Sequence, residues 1–235
     1  MLFRSTRPNR ALLPTAWLQN THFLGVYDAW RIARTRAAPG RFRTPVPTPD
    51  THEMLLAPFA GRQLTRPEIV VPLATVWAVG FAASRFGETA EANYWELTKI
   101  PVFSREVDRS AALAVATGYY STTFYSVGIG EEALFRGVIQ TSLEEAWGPT
   151  WGWLAATAFF ASLHAANGSN LGESAIAVGA TSLIGGYLGW MYQRDGHDLT
   201  GAVFFHVWYD VGIGLTKFLL DPEHQPFTAG VSIPF

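Results

Sequence analysis

Long stretches with few or no charged residues recur along the chain from residue 69 onward. They cover residues 110–130, 151–172, 174–193 and 199–220, with a shorter stretch at 69–83. Only the stretch at 199–220 contains charged residues, Asp210 and Lys217. A helix needs about 20 apolar residues to cross a bilayer, and helices of soluble proteins usually carry a charged stripe that these stretches lack. The pattern predicts an all-α fold, a polytopic membrane helical bundle of about five or six membrane helices.

Aromatic and small residues are placed as membrane helices require. Trp147, Trp151 and Trp153 lie at the start of one apolar stretch and Trp190 lies near the end of another, where interfacial anchors are common. Gly185 and Gly189 have the GxxxG spacing that lets membrane helices approach closely. A large soluble helical core is the alternative. For the segment 110–147, the sequence leaves open one extended helix or two broken ones.

The first 43 residues differ in charge from the rest. They hold eight Arg and one acidic residue, Asp28, a net charge of +7, so with −2 for the whole chain the remainder carries −9. Residues 15–36 suit either a basic helix on an anionic membrane surface or a solvated arm. Proline at 45, 47 and 49 predicts an extended linker over residues 44–50. The positive-inside tendency predicts a cytoplasmic N-terminus.

These changes in charge and in apolar content divide the chain into three parts. Residues 1–67 form a basic N-terminal arm with a Pro-rich linker, residues 68–221 a membrane helical domain, and residues 222–235 a C-terminal tail. A charged content of 15% and a balanced net charge disfavour nucleic acid as a partner. The absence of Cys removes disulfides, thiolate catalysis and Cys-based zinc sites.

Ionisable residues within apolar helices are costly and mark functional positions. Glu132 and Arg136 are four residues apart, so they share a helix face and can pair. Glu131 lies about 100° round the helix from Glu132, which leaves it to face a cavity. The alternative is a cluster of charges at the end of a helix after Gly130, where the helix dipole favours acids.

Two further apolar stretches carry histidine. His164 follows Phe160 by four residues, and His206 and Asp210 are also four residues apart, as in a metal pair or a hydrogen-bonded dyad. Each group alone has a structural explanation, either a hydrogen-bonded core histidine or a His–Asp pair. Together they predict one shared polar site inside a helical bundle.

The order of these motifs resembles one family. EExxxR (Glu131, Glu132, Arg136), FxxxH (Phe160, His164) and HxxxD (His206, Asp210) are similar to the motifs of the CAAX protease and bacteriocin-processing (CPBP, or Abi) family of intramembrane endopeptidases. This family includes the type II CAAX prenyl proteases. The resemblance covers about residues 115–215. It implies an α-helical membrane protein with its active site in an intramembrane cavity.

The resemblance also implies a mechanism. Glu131 would be the general base and His164 would help to hold the water, with His206 and Asp210 stabilising the oxyanion and Glu132, Arg136 and Phe160 in support. An ionised Asp cannot donate to an oxyanion, so Asp210 must be protonated, orient His206 or bind a metal. A mechanism without a cofactor is favoured. The alternative is Zn²⁺ held by Glu131, His164 and His206.

The sequence therefore predicts an integral, multi-pass membrane endopeptidase, in the plasma or inner membrane if the chain is bacterial. Its partners would be the lipid bilayer and a membrane-associated or lipidated protein or peptide substrate. Two alternatives stay open. One is a non-catalytic membrane scaffold or bacteriocin-immunity partner with the same fold, and the other is a transporter that uses the buried acids as a proton relay.

Overall fold

A computed structural model describes residues 12–87, 92–103 and 105–227. The helices within these ranges are α1 (Leu12–Thr35), α2 (Thr51–Leu56), α3 (Pro67–Phe86), α4 (Arg109–Glu131), α5 (Thr141–Trp147), α6 (Pro149–Leu163), α7 (Leu171–Arg194) and α8 (Thr200–Leu220). A π-helical segment (Glu132–Gln140) joins α4 to α5, and β1 (Lys99–Val102) pairs with β2 (Arg105–Asp108) in an antiparallel hairpin. The predicted all-α fold is confirmed.

Three helices of the described ranges are long and apolar enough to cross a membrane, namely α3, α7 and α8. The sequence predicts about five or six. α6 has only 15 residues, and α4 carries many Gly, Ser, Thr and Tyr residues among its apolar ones, so neither qualifies by composition and length. The number of membrane passes stays a prediction.

α4, the π segment and α5 form one continuous helical rod from Arg109 to Trp147. This resolves the question left open for residues 110–147 in favour of a single extended helix. The π segment inserts a wider turn with i→i+5 hydrogen bonds, as between the Thr141 amide and the Arg136 carbonyl. The wider turns lie where Glu132 and Arg136 project into the bundle.

Residues 12–35 of the basic N-terminal segment form α1, which packs on the bundle. α1 runs alongside α4 in the same direction, and the indole Nε1 of Trp17 donates to the carbonyl of Thr122 at 3.1 Å. Asn20 packs directly on Gly130, and the ring of Tyr27 packs on Gly137. No side chain fits at either glycine. Arg4, Arg7 and Arg10 of the predicted arm lie outside the described residues.

The end of α1 is tied to α5 through one carboxylate. Glu145 accepts hydrogen bonds from the backbone amides of Thr44 and Arg43 at 2.8–2.9 Å, and Arg34 lies 3.6 Å from it. The amides of Thr44 and Arg43 lower the pKa of Glu145 to about 2. Residues 12–67 are therefore not separated from the following helices by a gap in packing.

The opposite end of the bundle is closed by the hairpin and the residues after α8. Ile100 and Val102 of β1 are buried against an aromatic cluster that includes Tyr120, Phe218 and Phe227. The amide of Phe103 donates to the carbonyl of Phe227 at 3.0 Å. Residues 222–227 of the predicted tail are thus packed on the bundle, and residues 228–235 lie outside the described ranges.

The contact between α1 and the π segment can be tested with two glycine substitutions. A Cβ at Gly137 would lie 2.6 Å from the Tyr27 ring, whereas a Cβ at Gly118 in α4 has no atom within 4 Å. We expect Gly137→Ala to destabilise the protein by about 1–3 kcal/mol through overpacking. Gly118→Ala should be neutral or stabilising by up to ~1 kcal/mol. Thermal unfolding in detergent measures both. Equal unfolding temperatures for the two variants would contradict the α1 packing.

Candidate active site

The carboxylate of Glu132 lies at the centre of the candidate site and is fully buried. Its Oε1 atom accepts from Nη1 of Arg136 at 2.9 Å and from Nδ1 of His206 at 2.7 Å. The predicted Glu132–Arg136 pair is therefore present. Because a carboxylate only accepts hydrogen bonds, the Nδ1 atom of His206 must carry a proton. This hydrogen bond to Glu132, a residue of the π segment, fixes the ring orientation of His206 on α8.

Three carboxyl groups surround the imidazole of His206. Nδ1 contacts Glu132, while Nε2 lies 3.4 Å from Oδ2 of Asp210 and 3.9 Å from Oε2 of Glu131. The side chains of Glu131 and Asp210 are 17% and 22% exposed, whereas that of His206 is only 6% exposed. Glu131 and Asp210 therefore form the accessible edge of the cluster, and Glu132 forms its buried base.

The ring of Phe160 links the two histidines. It lies under the Arg136 guanidinium at 4.3 Å, and its centroid is 4.7 Å from the His164 ring and 6.4 Å from the His206 ring. His164 is half-buried at the end of α6, with Nδ1 2.9 Å from the carbonyl of Phe160. A carbonyl only accepts, so Nδ1 donates, and the neutral ring leaves Nε2 as an acceptor.

Small residues on α7 position the π segment. Nη2 of Arg136 donates to the carbonyl of Gly185 at 3.0 Å, and Nε2 of Gln140 donates to the carbonyl of Gly189 at 3.1 Å. A Cβ at Gly185 would lie 2.8 Å from Phe160, and one at Gly189 would lie 2.7 Å from Gln140. The GxxxG pair therefore serves a contact within the chain, in which the side chains of the π segment reach the backbone of α7.

Sequence reasoning missed a second buried carboxylate–histidine pair on the same rod. Glu144 is buried and lies 2.8 Å from Nε2 of His197, a residue of the α7–α8 turn. Its Oε1 atom accepts from Gln140 at 2.7 Å and from Gln193 at 2.8 Å. The available signal was the spacing of four between positions 132, 136, 140 and 144, which places these polar residues along one face of the rod.

The predicted site residues are therefore brought together from three helical segments. Glu131, Glu132 and Arg136 come from the α4–π junction, and Asp210 with His206 comes from α8. His164 joins them through the Phe160 ring. Within the described ranges, no group of three or more His, Asp or Glu residues is arranged to hold a metal ion. The zinc set Glu131, His164 and His206 stays an untested alternative.

The buried pair can be tested by removing one partner and then both. We expect Arg136→Met to destabilise the protein by about 3–5 kcal/mol because it leaves the buried Glu132 carboxylate without its cation. The double variant Glu132→Gln/Arg136→Met removes that charge as well and should recover part of the loss. Thermal unfolding in detergent reports both. A double variant less stable than Arg136→Met alone would contradict the coupling.

Comparison with known proteins agrees with this geometry. The family described as type II CAAX prenyl endopeptidase Rce1-like matches residues 114–212, which contain all seven predicted site residues. A search of curated proteins and a search of solved structures found no significant match. With three helices able to span a bilayer, this match indicates a membrane protein and, at the level of the family, a CAAX-protease-like endopeptidase. The resemblance to the CAAX protease family is confirmed over residues 114–212, which match the Rce1-like family.

Proposed function

We propose that the protein is an intramembrane glutamic endopeptidase that hydrolyses peptide bonds of membrane-associated protein substrates. One observation carries the proposal. Glu131 lies at the accessible edge of a cluster in which Glu132 already has two partners, Arg136 and His206. A glutamic peptidase needs one carboxylate that is not used in a structural ion pair, so that it can act as the general base. Glu131 is the carboxylate available for that role. The match to the Rce1-like family supports peptide bonds as the target.

In this proposal the water is held by two acceptors. The Glu131 carboxylate takes a proton from the water as it attacks the carbonyl carbon, which is general base catalysis. His164, whose Nδ1 donates to the Phe160 carbonyl, presents Nε2 as the second acceptor for the same water. After attack, the proton on Glu131 passes to the leaving amine, so the carboxylate is regenerated in each turnover.

The negative oxygen of the tetrahedral intermediate needs a donor. His206 supplies one as the imidazolium, which carries a proton on both ring nitrogens. Its Nδ1 donates to Glu132, and its Nε2 donates to the oxyanion. Asp210 lies 3.4 Å from Nε2 of His206. We assign to Asp210 the role of orienting His206, which requires no donation from Asp210 to the oxyanion. Of the roles that the sequence left open for Asp210, this is the one that the contact supports.

We also propose an orientation in the membrane. Eight arginines gather at the end of the bundle where α1, α5 and α7 end and α3 and α8 begin, namely Arg31, Arg34, Arg36, Arg41, Arg43, Arg62, Arg66 and Arg194. Several are joined there by ion pairs, such as Arg66 with Asp195 and Arg194 with Glu68. By the positive-inside tendency this end faces the cytoplasm. The side on which residues 1–11 lie stays a prediction.

The catalytic assignment is tested with purified protein in a bilayer and a fluorogenic peptide. We expect Glu131→Gln and His164→Ala each to lower kcat/KM by about 10²–10⁴-fold. Glu106→Gln, which changes an exposed glutamate on β2, should leave cleavage unchanged. Wild-type rates in both site variants would refute the peptidase proposal.

The metal-free mechanism has its own test. Because the proposed chemistry needs only the carboxylate and imidazole groups of the chain, cleavage should continue at an unchanged rate after dialysis against a strong chelator. Elemental analysis of the active preparation should find less than stoichiometric zinc. Loss of cleavage on chelation, restored by added Zn²⁺, would replace this mechanism with the metal-dependent one.

A further inference from the structure

An apolar groove lies on the side of the bundle, away from the candidate active site. It has a volume of about 470 Å³ and runs between α3, α8 and residues 57–64, two consecutive turns of 3-10 helix. Its walls include Phe59, Leu64, Ala74, Trp77, Phe204 and Trp208. The indole N–H groups of both tryptophans have partners, as the next contacts show, and the groove presents mainly hydrocarbon to its contents.

The indole N–H groups of the two tryptophans in the groove are hydrogen-bonded to backbone carbonyls. Nε1 of Trp208 donates to the carbonyl of Pro58 at 2.9 Å, and Nε1 of Trp77 donates to the carbonyl of Trp208 at 3.1 Å. An unpaired carbonyl or indole in contact with hydrocarbon would cost several kcal/mol. With these bonds made, water has little to bind in the groove, while an apolar chain has a complementary surface.

The groove lies on the face that borders the bilayer. Both of its helices, α3 and α8, are able to span a membrane, and only 17% of the apolar window of α3 is buried. Val71, Val79 and Phe81 on α3 are exposed. The groove is therefore continuous with a surface that lipid covers, and lipid chains are the molecules that can enter it from the side.

The groove is long enough for part of a hydrocarbon chain. From Val70 to Trp77 it follows α3 for about 10 Å at 1.5 Å per residue. Its volume of about 470 Å³ leaves room for an acyl chain along that length. The groove therefore takes the part of an acyl chain that lies at this depth.

Arg62 is a basic residue near the end of the groove that Gly61 and Leu64 line. Arg62 lies between Gly61 and Leu64 in the sequence, close to the lining, and its side chain is 69% exposed. Its contact with Asp198, at 3.7 Å, is a loose one for an ion pair. This end also carries the arginines assigned above to the membrane surface. A lipid phosphate at that level lies within reach of the Arg62 guanidinium, which binds phosphate well.

We propose that this groove is a binding site for one membrane phospholipid, with an acyl chain between α3 and α8 and its phosphate on Arg62. The bound chain would press residues 57–64 onto α8 at Trp208, two residues from His206 and Asp210. The site is distinct from the Glu131 cluster and does not depend on the endopeptidase assignment.

The groove is tested by filling it from either wall. Ala74 lines the groove, whereas Ala78, one turn further along α3, is equally exposed and does not line it. Protein is reconstituted in phosphatidylglycerol or phosphatidylcholine vesicles, extracted in mild detergent, and examined by native mass spectrometry. We expect the wild type and Ala78→Trp to retain one phospholipid, and Ala74→Trp and Leu64→Trp to lose it. Thermal unfolding confirms that each variant is folded.

The phosphate contact has a separate variant. Arg62→Gln should lower retention about tenfold, and more for phosphatidylglycerol than for phosphatidylcholine, since the former has no cation of its own. Equal retention by wild type and folded Ala74→Trp would overturn the groove site. Unchanged retention by Arg62→Gln would overturn the phosphate contact. Displacement of the phospholipid by equimolar farnesol would assign the groove to isoprenoid chains and overturn the phospholipid proposal.

Discussion

The buried carboxylate of Glu132 is the group on which the geometry of the candidate site depends. Its Oε1 atom binds Arg136 from the same rod and His206 from α8. A charge in a dry interior is tolerated only when it is paired and hydrogen-bonded, so α8 and the π segment are held at a fixed separation. This constraint places Nε2 of His206 beside Asp210 and Glu131, where the chemistry is proposed.

The π segment and the glycines of α7 make this pairing possible. Arg136 has a second donor, which reaches the Gly185 carbonyl, and its guanidinium also covers Phe160. Such contacts need a wide helical turn on one side and an absent side chain on the other. The π segment supplies the wide turn, a feature often found at functional sites, and Gly185 supplies the space. The same arrangement recurs one turn later with Gln140 and Gly189.

The N-terminal helix supports the rod from the other side. Asn20 and Tyr27 of α1 press on Gly130 and Gly137, which flank the Glu131–Arg136 segment. α1 therefore borders the catalytic candidates although it lies outside residues 114–212, the range that matches the Rce1-like family. The positive charge that predicts a separate arm lies mainly at the end of this segment. There Arg34 and the amides of residues 43 and 44 contact Glu145.

The sequence by itself determined the helical class, the pairing of Glu132 with Arg136, and the set of polar residues in apolar helices. These follow from local spacing and from the cost of burying charge, which are properties of short segments. It could not show that α1 packs on the rod, because Asn20 and Tyr27 contact glycines more than 100 residues away. It also could not show which partners the two ring nitrogens of His206 have, or that Glu144 binds His197. Only the tertiary structure decides those contacts, since they depend on the relative rotation and depth of helices distant in the chain.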